Sequence, residues 1–341
     1  WLPFQISWAA IVLAISAALS FRKGAGDTQA GQLGGRAGLG LGGFLFLELS
    51  LLSLPNAVAR WTDTPHALWT PLLLAVTFIP QHPGIRHALA SHWLTRPSRR
   101  TVLIGLLPIA LLVGYFVGGP VGGAALFVAQ ALALAAASCL LDGVPCAPRP
   151  VGPSLAFGML AWLVLNVGSA FAFTYPYAVP ALRGMGWLIY MLACVAIAVG
   201  VLPQRRLAIT QGMFARHGWQ VVAGGIVVVA AAAIASWPLP LAETPPGERL
   251  RLATYNIHYG FDQGWHYNLD EIADTIASES LDAVALQEVD AGRLTSLGVD
   301  NAYYLARRLG MRVVYLPTIE RLTGIAILYR CEAGTAGRLL P

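Results

Sequence analysis

Eight stretches within the first 236 residues are almost free of charge, a pattern that restricts the chain more than any other feature. They lie roughly at 2–20, 39–59, 67–80, 101–118, 121–141, 154–173, 184–202 and 219–236. An apolar helix of about 20 residues crosses the hydrocarbon layer of a bilayer, so the pattern predicts an α-helical polytopic membrane domain over 1–236. The third stretch is the weakest, because Pro71 and Pro80 interrupt it; it either extends toward Ala90 or is re-entrant. Composition agrees, at 56% hydrophobic and 11% charged residues, far from an ordinary soluble domain. The charge is also divided. Residues 1–240 carry 13 basic and 4 acidic groups, whereas 241–341 carry 9 and 13. A stiff linker at 237–248, containing Pro238, Pro240, Pro245 and Pro246, separates the two parts. The second part, 249–341, is therefore expected to be water-soluble.

Basic residues concentrate in alternate loops. Loops 21–38, 81–100, 142–153 and 203–218 hold 11 of them, and the intervening loops hold only Arg60 and Arg183. By the positive-inside rule, the basic loops are cytoplasmic and everything after Trp237 lies outside, across a bacterial plasma membrane. Glu48 is the one charged side chain inside a span. At that depth it must be protonated, paired or turned to a polar cavity; Gln130 and Asn166 are the nearest polar candidates in other spans. It serves either a lipid contact or helix–helix packing. Gly38-Leu-Gly40-Leu-Gly42-Gly43 matches GxGxxG, but it opens an apolar helix with no strand before it, which excludes a dinucleotide site. Gly38/Gly42 and Gly119/Gly123 have the spacing of close helix packing. Cys139, Cys146, Cys194 and Cys331 form no disulfide or zinc pattern.

The soluble part alternates strand, helix and strand. Arg249–Ile257 has strand composition, and Asn268 followed by Glu271 makes a capping box. Leu269, Ile272, Ala273 and Ile276 then fall on one helical face. Leu281–Gln287 reads as a strand buried on both sides. Asp300 caps a second helix ending near Gly310, and Met311–Leu316 and Gly324–Tyr329 read as further strands. Asn256 and Glu288 each stand where an apolar run stops, at the carboxyl ends of adjacent strands, where open α/β layers bind ligands. A carboxylate beside a carboxamide suits a hard cation and a phosphate.

ATYNIHYG around Asn256, LQEVD around Glu288 and TGIAIL from Thr323 resemble the motifs of the endonuclease/exonuclease/phosphatase superfamily. The resemblance implies a partial DNase I-like two-sheet α/β sandwich. It also implies a phosphodiester hydrolase using Mg²⁺ or Mn²⁺, with Glu288 as metal ligand and Asn256 holding phosphate and metal. His258, two residues beyond Asn256, is a possible substrate contact on the same strand face. Ile325 stands where the family often has Asn, and Tyr329 where it often has Ser. The resemblance covers about 249–330, without the later Asp-x-Asn and Asp-His motifs, so the chain is expected to be a fragment with an incomplete active site. Its layout resembles membrane proteins that remodel the lipid of GPI anchors, which implies a phospholipid or glycolipid substrate at the outer face. Two other readings stay open. One is an extracytoplasmic nuclease, which the acidic balance of the second part disfavours. The other is a non-catalytic membrane scaffold or lipid-handling protein.

Overall fold

The computed structural model describes residues 35–78, 82, 84–85, 88, 94–141, 151–173, 175, 177–202, 218–237 and 250–330. The predicted span 2–20, most of the linker, Cys146 and Cys331 lie outside them. The apolar stretches fold as helices: α1 (Gly35–Leu47), α2 (Pro55–Thr62), α3 (His66–Phe78), α4 (Pro97–Val117), α5 (Gly119–Leu141), α6 (Val151–Phe173), α7 (Gly186–Val201) and α8 (Gly218–Ser236). Four helical stretches, Gly35–Leu52, Pro97–Val117, Gly119–Leu140 and Pro153–Phe173, are long and apolar enough to cross a membrane, and three shorter ones share their composition.

The predicted stretch 39–59 is not one regular helix. α1 continues as a π-helical turn over Glu48–Leu52, breaks at Ser53 and Leu54, and resumes as α2 with Pro55 in its first turn. Proline is tolerated there because its missing N–H would have no intrahelical partner. Helix α3, by contrast, runs through Pro71.

Helix α1 lies between α6 and α7, α4 pairs with α5, and α8 packs on α3. Glycine permits the first of these approaches. A Cβ on Gly38 or Gly42 would stand 2.0 or 2.3 Å from the carbonyl oxygens of Ser154 and Gly158, while one on Gly43 would stand 2.6 Å from that of Ala193. The GLGLGG run thus lets one backbone touch two others, as its spacing predicts. The second glycine pair behaves differently. Gly123 packs against the Trp69 ring, but Gly119 has open space around it and turns the chain at φ +57°.

Glu48 and Gln130 are both buried, and the Gln130 amide donates to Glu48 Oε2 at 2.9 Å. Asn166 does not take part; its amide donates to the Trp162 carbonyl one turn back. Cys139 and Cys194 are both buried in the helical core.

The second unit is a four-stranded sheet of order β1-β2-β4-β3, with β1 (Leu252–Asn256), β2 (Ala283–Asp290), β3 (Arg312–Ile319) and β4 (Thr323–Tyr329). β1 and β2 are parallel; β4 is antiparallel to both β2 and β3. Helices α9 (Leu269–Ser278) and α10 (Asn301–Leu309) share one core with Val284, Leu286, Val289, Ala326 and Leu328. The predicted periodic residues Leu269, Ile272, Ala273 and Ile276 are all in it. Full burial of Leu286 and Leu305 stabilises the fold by roughly 1.5–3 kcal/mol each. The expectation that β2 is buried on both faces is not met. Its side chains alternate, and the opposite sheet face exposes Leu252, Ile325 and Ile327.

The sheet docks on the helices by one edge. The β3–β4 turn carries Glu320 and Arg321 at φ 53° and 63°, the twisted two-residue geometry that joins antiparallel strands. Arg321 Nη1 donates to the Trp61 carbonyl at 2.6 Å, and Ile319 and Leu322 join the helical core. Arg60 pairs with buried Asp300 at 2.5 Å, Asn56 donates to the Gly298 carbonyl, and Arg307 donates to the Trp237 carbonyl.

Candidate functional site

The carboxyl ends of β1 and β2 bring the predicted residues to neighbouring positions. Asn256 is the register partner of Gln287, the residue before Glu288. Pairing of β2 with β4 runs through Leu286↔Ala326 and resumes at Val289↔Gly324, so Gln287 and Glu288 together oppose Ile325. This two-against-one bulge re-aims a side chain that simple alternation would place elsewhere. Glu288 sits at φ 53°, a conformation uncommon for a residue with a Cβ and concentrated at functional sites.

The turn after Asn256 is strained too. His258 and Tyr259 have φ 47° and 57°, and Gly260 follows at φ 92°. A Cβ on Gly260 would meet the Tyr267 ring at 2.7 Å, so glycine is required by space as well as by conformation. The turn is held from outside. Asn301, fully buried at the start of α10, donates to the Tyr259 carbonyl at 2.8 Å and accepts from the Tyr267 hydroxyl at 2.6 Å.

This geometry changes the reading of His258. The strand ends at Asn256, so His258 lies in a 3₁₀ turn and does not share its face by alternation. Its backbone N–H donates to Asn256 Oδ1 at 2.9 Å, and its ring packs 4.9 Å from that of Trp265. The first contact fixes the carboxamide: Oδ1 is engaged by the chain, and Nδ2 has no partner among the described residues. Asn256 is exposed and Glu288 half-buried.

Several neighbours were not singled out by sequence. Tyr259 is raised above its usual value by partial burial, then by the carboxylates of Glu288 and Asp290. It also feels Tyr175 from the α6–α7 connection, which brings a helical-domain residue near the strand ends. Asp290 is buried and accepts from Thr323 Oγ1 at 2.5 Å. Burial raises its carboxyl above the usual range, against the opposing pull of Arg293 and Thr323. Arg293 donates to the same threonine and approaches buried Glu320 at 3.4 Å. LQEVD already held Asp290, but its burial depends on the hairpin folding over it.

No group of three or more His, Cys, Asp or Glu side chains is placed to hold a metal among the described residues. The Glu288 carboxylate is nonetheless a hard oxygen donor, and Mg²⁺ is held through one or two carboxylates with its remaining positions filled by water and substrate phosphate. The donor set fits such an ion with Glu288 as its anionic ligand.

No curated protein and no solved structure matches the chain. Residues 253–338, which include the Asn256 turn, the Glu288 bulge and the β3–β4 hairpin, match the family model Endonuclease/Exonuclease/phosphatase family, so the chain carries a domain of that family after its apolar helices.

Proposed function

We propose that this is a multispanning membrane protein whose α/β domain hydrolyses a phosphodiester of a phospholipid or glycolipid at the outer membrane face. The family match supports a hydrolase in general. The observation that carries the lipid reading is the direction of the sheet. The edge bearing Asn256 and Glu288 is the edge bearing the Glu320–Arg321 turn, because Thr323 pairs with Asp290 at the end of β2. That turn rests on the helices, so the strand ends lie on the side of the sheet that meets the apolar helices, which supports a substrate drawn from a membrane around them.

The helix ends that meet the domain support the outward placement. They are the α2–α3 connection at Arg60 and His66, the end of α4 at Gly118, and the end of α8 at Ser236 and Trp237. All belong to the charge-poor set of loops, those that the positive-inside rule puts outside. Phe116, Tyr175, Tyr177 and Trp237 are exposed at the same end, the aromatic composition of a membrane–water boundary.

Within the site, Glu288 would hold the divalent ion. Asn256, with Oδ1 engaged by His258, presents Nδ2 as a donor to a phosphate oxygen and fixes its position. Tyr259, kept protonated by burial and two nearby carboxylates, is a second donor. Bound Mg²⁺ or Mn²⁺ supplies Lewis-acid polarisation of the phosphoryl group.

The test uses the protein reconstituted in lipid, with phospholipid, glycolipid and DNA phosphodiesters offered in Mg²⁺ and in chelator. Lipid hydrolysis that stops in chelator is expected. Glu288→Gln should reduce it on the order of a thousandfold with the fold intact. Asn256→Ala should reduce it by a smaller factor. Chelator-insensitive turnover, a fully active Glu288→Gln, or cleavage of DNA alone would overturn the assignment.

A further inference from the structure

The hydrolytic reading leaves unused the small hairpin that follows the strained turn. Phe261 and Tyr267 pair as an antiparallel bridge. Inside it, Asp262 N–H donates to the His266 carbonyl at 2.9 Å and Trp265 N–H to the Asp262 carbonyl at 3.0 Å. These bonds close a three-residue loop over Gln263, Gly264 and Trp265. The Asp262 carboxylate braces it: Oδ1 accepts from His266 N–H at 2.8 Å, and Oδ2 lies 3.2 Å from Nδ1 of the same histidine.

The last position of such a loop is left-handed and is usually glycine. Here it is Trp265, at φ 60°, although Gly264 stands next to it. Turn geometry alone favours glycine at 265. Trp265 is 69% exposed, so burial returns little of the conformational cost of keeping an indole there. A side chain held at such a cost points to a role outside the fold.

Its neighbours tie the indole to the strand ends. The Trp265 ring lies 4.9 Å from that of His258 and 6.1 Å from that of Phe261. His258 N–H is the donor that engages Asn256 Oδ1. The indole is thus backed by two rings, open to solvent, and linked through His258 to the carboxamide of the site.

The surroundings select the ligand. A bilayer wedge has apolar residues beside its tryptophan, whereas Asp262, Gln263 and His266 flank this one, and carrying a carboxylate into hydrocarbon is costly. A quaternary ammonium is received by a cage of several aromatic faces, and one open face is not a cage. The Trp265 and His258 rings already touch each other, so no base slots between them. A pyranose matches what is left. Its C–H face packs on the electron-rich face of an indole, and its rim of hydroxyls suits a polar border.

We propose that Trp265, backed by His258, is a sugar subsite: it stacks on the hexose attached to the phosphate received at Asn256 and Glu288, with Gln263 and His266 beside the hydroxyls. The proposal rests on the hydrolase reading and deepens it by choosing the glycolipid over the phospholipid.

The experiment has a binding arm and a turnover arm, both on the full chain in phosphatidylcholine nanodiscs. In chelator, saturation-transfer NMR with methyl glucoside should show transfer to the ring protons, and glycerophosphocholine should show none. Trp265→Gly suits the left-handed backbone and removes only the ring, so the thermal midpoint should not fall while the glucoside signal disappears. Trp265→Phe should keep part of it. In Mg²⁺, Trp265→Gly should lower the preference for phosphatidylglucoside over phosphatidylcholine, as the ratio of kcat/KM values, by roughly three- to tenfold, mainly through KM. Glucoside transfer that survives in Trp265→Gly, or absence of transfer to the parent, would overturn the subsite. So would an equal fall on both lipids, which is the behaviour of a bilayer anchor. Absence of turnover on every lipid would count against the hydrolase reading, and the binding arm would still decide the subsite.

Discussion

Helices α6 and α9 are built from the same backbone and turn opposite chemistries outward. In α6 the exposed side chains include Phe157, Leu160, Leu163 and Val164, each about half exposed or more. In α9 they include Asp270, Glu271 and Asp274, while its apolar residues face the sheet. A helix that is apolar all round has its apolar surroundings on every side, whereas an amphipathic one has a core on one side and water on the other. The two regions also pack by different means. In α1 the approach is backbone to backbone through glycine; in the α/β domain Leu, Ile and Val interdigitate. Between the two lies a third kind of contact, polar and charged, in which Arg60 of the helical region pairs with Asp300 of the α/β domain.

That boundary is where disruption should have its largest effect on stability. Asp300 has two duties: its Oδ1 caps α10 by accepting from Tyr303 N–H at 2.9 Å, and its carboxylate holds Arg60. Arg60→Ala leaves this buried carboxylate uncompensated, and such losses cost about 3–5 kcal/mol. Hydrogen exchange should then show β3, β4 and α10 opening away from the helices while α1, α6 and α7 stay protected. If protection is unchanged throughout, the pair is not what joins the regions.

Packing by glycine predicts a more local failure. Gly42→Val puts side-chain carbon against the Gly158 carbonyl, an overpacking that costs roughly 1–3 kcal/mol. The midpoint of thermal unfolding in detergent should fall, with loss of helical signal preceding any change in the α/β domain. Simultaneous loss of both would mean that the regions melt as one unit.

Acidity sharpens the contrast at the boundary. Burial raises Glu320 well above its ordinary value near 4.5, with Arg293 opposing. A carboxyl raised in this way binds its proton more tightly when folded. Its contribution to stability is therefore greatest at low pH and falls as pH rises from 4.5 toward the raised value. Glu320→Gln should abolish that component, so the variant gains stability relative to the parent as pH increases through this window. Thermal unfolding of both proteins across pH 5–8 measures it. Parallel pH profiles would show that Glu320 titrates normally.

The smallest effect is expected inside the helical region. Glu48→Gln retains an oxygen to accept from Gln130, so stability should change by less than about 1 kcal/mol. A folded variant with lost lipid hydrolysis would assign Glu48 to function instead.

Much of this was legible in the order of residues. Apolar runs over 20 residues and the 3.6-residue spacing of Leu269, Ile272, Ala273 and Ile276 are one-dimensional signals of burial. Asn268 and Asp300 act as caps where their positions predict, each accepting from a backbone N–H in the first turn. The register of Asn256 and Glu288 followed from two strand ends joined by a helix. Other features depend on contacts distant in sequence. Alternation cannot predict the bulge at Glu288, because it arises from how β4 pairs with β2. For the same reason it misplaced His258, which a strained turn carries off the strand. Nor can a loop count reveal that Arg60 meets Asp300, 240 residues away, or that Tyr175 approaches Tyr259. Periodicity records what each element buries, a local property of its own side chains. Which edge of the sheet meets the helices is decided only when those elements exclude solvent from one another, and that edge determines where the strand ends face.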